Sequence, residues 1–151
     1  MAETMTALSE PILDQLNQHE KFVILNTIDS ETGCITSSAI SWITPHSPTK
    51  LRIAIDARSR LIANVKADKR VTLSLFAGGS FYAVQGTATV IHDRLEEVPI
   101  KLACLEVEVE AVRDAMYYGS RISAMPEVEK TYDKRAADKL DAQVFAALQK
   151  A

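Results

Sequence analysis

Across 151 residues the chain holds only two cysteines, five glycines, five prolines and one tryptophan. Cys34 and Cys104 lie far apart, with no CxxC spacing and no Cys/His cluster beside either. That argues against a disulfide or a metal site, and both read as buried free thiols of a cytosolic protein. There is no internal repeat, low-complexity tract or linker to divide the chain. No apolar run approaches the length of a membrane span. The first ten residues, MAETMTALSE, lack the basic-then-apolar pattern of a secretory signal, so a cytoplasmic location is expected. Positive charge is not in excess either: the formal net charge is −3, which argues against a nucleic-acid footprint. Ser/His/Asp and Cys/His nucleophilic arrangements are missing, and His19, His46 and His92 fall near predicted element ends, where surface positions are expected.

What is present is ordinary globular composition, 47% hydrophobic and 25% charged, in a chain long enough for one domain over 1–151. Ser9 and Pro11 open a short helix reaching about Gln18. Residues 21–29 (KFVILNTID) are too apolar and β-branched for a loop and read as a strand covered on both faces. Gly33 serves the following hairpin turn, and 34–44 (CITSSAISWIT) resumes as a strand that Pro45 and Pro48 break. Val71, Leu73 and Leu75 alternate with Thr72, Ser74 and Phe76 as in a half-buried strand. Gly78-Gly79 makes the next hairpin, and Gly86, inside strand 81–92, marks a bulge, a bend or a close approach of another group. A short helix is expected at 93–97. Leu105, Val107, Val109 and Ala111 alternate with three glutamates in a strand with one wet face, and a last helix runs over about 127–149. The expected fold is mainly β: a six-stranded antiparallel split barrel with N-terminal, connecting and C-terminal helices.

The stretch 53–76 (IAIDARSRLIANVKADKRVTLSLF) organises the rest. A buried strand over 51–55 leads into a tight basic connection over 56–60, and Ser59 stands where a helix N-cap belongs, flanked by Arg58 and Arg60. A helix start leaves amides without intrahelical partners and carries partial positive charge. With two guanidiniums beside it, such a corner can seat a phosphate or carboxylate.

Several segments together resemble the pyridoxamine-phosphate-oxidase-like FMN-binding split barrels over about residues 20–125. They are LNTID, the turn after it, the Ser-rich strand ending in Trp42, AIDARSRLIANVKADKRVTL and VQGTATV. The most telling unit is Ser59-Arg60-x-x-x-Asn64 followed by Asp68-Lys69-Arg70-Val71. The resemblance implies a homodimer with FMN in clefts between subunits and a small-molecule substrate. Ser38, Ile40 and Trp42 would then run along the isoalloxazine ring, and Ile55 and Asp56 would lie near the ribityl chain or ring edge. Ser59 and Arg60, helped by Arg58, would hold the phosphate, and Tyr118 and Arg121 would close the site from the partner subunit. Two positions depart from the pattern: Leu61 replaces a frequent lysine, and Asp56 replaces a frequent hydroxyl residue. The C-terminal arginine and histidine motif of the vitamin-forming oxidases is missing, so oxidation of pyridoxamine phosphate is not expected. The activity implied is FMN-dependent electron or hydride transfer from NAD(P)H. The alternatives are a non-catalytic flavin- or haem-type binding module, and a degenerate dimeric stress or interaction protein without cofactor.

Overall fold

The computed structural model describes residues 4–18 and 20–151. His19 and the first three residues lie outside that range. Among the described residues, three helices and seven strands follow one another: α1 (Glu10–Leu16), β1 (Val23–Ile28), β2 (Ile35–Ile40), β3 (Ile43–Ser47), β4 (Lys50–Asp56), α2 (Arg60–Ala67), β5 (Arg70–Ala77), β6 (Ser80–His92), β7 (Leu102–Asp114) and α3 (Lys134–Lys150). All strand pairs are antiparallel, in the order β2-β1-β5-β6-β7-β4-β3.

The seventh strand corrects the expected six. The segment 34–44 is not one strand, because the chain turns at Ser41 and Trp42, where the Ile43 amide donates back to the Ser41 carbonyl. Pro45 does not end the second piece. It sits inside β3, which is an edge of the sheet, so its missing donor breaks no ladder on the outer side. The sheet is also not closed. β2 and β3 are its two edges, and one bond, from the Ala54 amide to the Trp42 carbonyl, ties the β2–β3 corner to β4. The expected helix at 93–97 is a turn instead: Leu95 donates to Leu102, and Glu97 takes a left-handed φ of 63°. Leu95 and Val98 are both buried there, so the segment is held by side chains that point inward. The last helix starts seven residues later than expected, at an Asp133 cap whose carboxylate accepts from the Ala136 amide.

Two apolar cores result. Inside the curl of the sheet, Leu25, Ile53, Leu73 and Leu105 meet Ile12 and Leu16 of α1. Outside it, α3 lays Val144 and Leu148 over Ala54, Leu102 and Cys104. β4 runs between the two cores, which is why its residues Leu51 to Ile55 are buried without a break. Of the cysteines, Cys104 is buried as expected; Cys34 is exposed on the β1–β2 turn, and both are free.

Arg52 fastens the second core. Its Nη1 donates to the carbonyls of Leu148 (3.0 Å) and Gln149 (3.4 Å), closing the C-terminus of α3, while Nε meets Glu106 at 3.3 Å. These are charge-assisted bonds on helix carbonyls that otherwise lack partners. Arg52→Met is expected to lower the unfolding free energy by about 2 kcal/mol in urea denaturation. A loss below about 0.5 kcal/mol would show that α3 is held by its apolar face alone.

Candidate functional site

The corner after β4 folds upon itself. The Asp56 side chain accepts from the Arg58 amide (2.8 Å) and from its guanidinium (3.3 Å from Nε and from Nη2). The Ser59 amide donates to the Asp56 carbonyl at 2.9 Å. Ser59 is the N-cap of α2, as its position predicts: its Oγ accepts from the Leu61 amide at 3.2 Å, and its carbonyl from Ile62. Arg60 turns the other way. Its Nη2 lies 2.6 Å from Asp29 and 3.9 Å from Glu31, on the β1–β2 turn. Asn64 adds to this seam, accepting from the Ser30 amide and donating to Thr27. The bonds from Arg58 hold the Asp56 carboxyl below the usual carboxylate range, the side chain contributing most. Asp29 is held low first by the Glu31 and Thr32 amides and only then by Arg60.

Beside this corner lies an open depression of about 390 Å³ between the end of β4 and the outer edge of β2. Ser38, Ile40, Trp42, Ile55, Asp56 and Ser59 line it, together with four further uncharged residues that include Leu61. Six of the ten residues singled out from the sequence therefore gather in one place. Arg58 and Arg60 adjoin it, but their guanidiniums are engaged with carboxylates. Tyr118 and Arg121 lie elsewhere, exposed on the segment after β7. The adjacent Ile122 amide bonds to Gly79, which places this segment by the β5–β6 turn. His46 and His92 are exposed, as expected, and neither lines the depression.

The sequence reading missed a second pocket, of about 250 Å³, on the other side of the β2–β3 corner. Trp42 spans both. Its Nε1 donates to Asp141 of α3 at 2.8 Å, and Lys130 meets the same carboxylate at 2.7 Å. Lys21, buried, donates to the Ile43 carbonyl at 2.5 Å, with its ammonium 4.1 Å from the centre of the Phe145 ring. Burial pushes the Lys21 amine down to about 8, against the pull of Asp141. The signal for this network was in α3: Asp141 lies on the same stripe as Ala137, Val144 and Leu148, and a charge on an apolar stripe requires a partner.

Solved structures share this fold. A Lactobacillus delbrueckii protein provisionally named a pyridoxamine 5'-phosphate oxidase superposes with a TM-score of 0.62 at 17% identity, over 74% of this chain and 97% of its own. The fold is pyridoxamine-phosphate-oxidase-like. An F420 reductase matches with a TM-score of 0.53 at 15% identity, over 70% of this chain and 98% of its own. General stress protein 26 of Bacillus anthracis str. Sterne matches at 0.53 and 11%, over 70% and 92%. The sequence matches no family model and no curated protein. Within the pyridoxamine-phosphate-oxidase-like fold, the depression described above occupies the open seam of the sheet, where β2 pairs with β1 on one side only.

Proposed function

We propose that the protein binds a flavin in the depression at this open seam and works as a cytoplasmic homodimer that passes electrons from NAD(P)H to a small acceptor. The observation that carries the reading is the gathering of Ser38, Ile40, Trp42, Ile55, Asp56 and Ser59 around one cleft. β2 is an edge strand, so its outer amides and carbonyls are free to meet the polar edge of a flat heterocycle. Trp42 offers an aromatic flank. FMN is the form that the resemblance points to. A structural neighbour is named as an F420 reductase, which supports redox chemistry on this fold.

The flavin would supply the hydride or electron transfer when bound. The chain's own task is to orient it, through β2 and Trp42, and to keep water from one face of the ring. Tyr118 and Arg121 would complete the wall from the partner subunit. No helix among the described residues is long and apolar enough to cross a membrane. The test is the visible spectrum of the isolated protein, and again after incubation with FMN or riboflavin. Flavin bands with a protein-induced shift are expected. Their absence in every sample would defeat the reading.

One observation favours a second reading, a binding module without turnover: among the described residues no histidine or other neutral-range acid or base lines the cleft. That reading predicts flavin binding with no acceleration of NAD(P)H oxidation across a panel of acceptors.

A further inference from the structure

The charge around the cleft is the reverse of what a phosphate needs. Asp56 is the only charged residue lining it. The two arginines that would serve an anion are held by Asp56 and by Asp29 with Glu31, so the corner carries two cations against three carboxylates. Several amides around the start of α2 are also occupied. Arg58 donates to the Asp56 side chain, Ser59 to the Asp56 carbonyl, Leu61 to Ser59 Oγ and Ile62 to the Ser59 carbonyl. A helix N-terminus whose donors are mostly satisfied by the chain offers less to an anion. A hydroxyl is suited to the same surface. It can donate to the free lone pairs of the Asp56 carboxylate and exchange bonds with Ser38, Ser41 and Ser59, which share the lining.

We propose that Asp56 makes this cleft select a flavin with an uncharged, hydroxyl-bearing tail over one that ends in a phosphate ester. The inference rests on the flavin reading above and concerns the tail alone. Arg58 lowers the pKa of this carboxylate, which favours its charged form. A phosphate monoester, with a charge of nearly −2, would have to share Arg58 or Arg60 with the carboxylate that each already bonds, and would meet the Asp56 carboxylate in the lining.

The test is a fluorescence titration of riboflavin and of FMN into the wild-type protein, Asp56→Asn and Arg58→Ala. The wild type is expected to bind riboflavin about tenfold more tightly than FMN. Asp56→Asn should tighten FMN by about tenfold and leave riboflavin within about threefold, since the amide oxygen still accepts from a hydroxyl. Arg58→Ala, which bares the carboxylate, should weaken FMN further. Asp56 and Arg58 are exposed, and a thermal melt of each variant checks that the fold is intact. A wild type that prefers FMN, or a preference unchanged in Asp56→Asn, overturns the inference and leaves the flavin reading standing. Binding of neither flavin overturns both.

Discussion

Replacing Gly86 with alanine is expected to lower the unfolding free energy by about 3 kcal/mol, the upper end of what overpacking costs. Gly86 does not need a left-handed backbone; its requirement is space. A Cβ built there would stand 2.2 Å from the Glu108 carbonyl oxygen, and 3.1 Å from both the Glu108 carbonyl carbon and Val107 Cγ1. Two of those atoms are backbone of β7, which cannot rotate aside as the tip of a side chain can. β6 and β7 would have to part at the centre of the longest pair in the sheet. The site is also where their register slips, between Gln85 and Gly86, so the strands are already fitted around the missing side chain. A domain of this kind has about 5–15 kcal/mol in total, so the variant should unfold at markedly lower urea with an unchanged m-value. Gly33→Ala is the control. Its φ is +73° with nothing within 4 Å of a Cβ, so only backbone strain of about 1 kcal/mol applies. Equal effects at the two glycines would refute the close-approach account.

Gly86 also shows what a sequence can and cannot convey about such a fold. A glycine inside an apolar alternating segment announces a special position, and the structure supplies both the slip and the approaching carbonyl. Alternation was equally legible in β5 and β7, because one face of each is packed and the other wet. The β5–β6 hairpin was legible because Gly78 and Gly79 both take positive φ in a two-residue connection. The missed elements are those whose form is imposed from a distance. Ser41 and Trp42 look like the middle of a strand, yet the chain turns there, and Trp42 bonds to Asp141, 99 positions away. Pro45 reads as a stop, and only its place at a sheet edge makes it harmless. Whether the sheet closes depends on how β2 and β3 approach each other, which no local pattern encodes.

The cleft divides in the same way. Its apolar and hydroxyl lining could be read from residue type and order, because β2 and the end of β4 are each continuous stretches. The orientation of the arginines could not. Arg58 and Arg60 have the right charge at the right spacing for an anion seat, yet Arg58 bonds its near neighbour Asp56 and Arg60 a carboxylate that the linear order hides. For Arg60 that carboxylate is Asp29, brought near by the packing of α2 on the β1–β2 turn. Charge spacing alone identifies cations; the fold decides whether they are free.

The other large expected effect is a pH dependence carried by Lys21. In the fold its amine titrates near 8, and in the unfolded chain near 10.5. Between those values the unfolded chain binds more protons, so stability rises with pH across that window. It is level below the window, where both states are charged, and above it, where both are neutral. The span is worth about 3 kcal/mol, at 1.36 kcal/mol for each pKa unit. Measured alone, the wild type would mix this with the opposite effect of Cys104. Burial pushes that thiol from 9.0 up to about 11, so stability is lost between those values as the unfolded chain gives up a proton that the fold retains. Lys21→Met keeps Cys104 and removes only the amine. Lys130, raised above 10.5 by its bond to Asp141, titrates beyond the window and is common to both proteins. The difference in unfolding free energy, wild type minus Lys21→Met, should therefore rise by about 3 kcal/mol from pH 7.5 to pH 10.5 in parallel urea titrations. The direction is the sharper part of the claim. A flat difference would mean that Lys21 keeps its ordinary pKa, and a falling one that Asp141 outweighs burial and holds the ammonium charged.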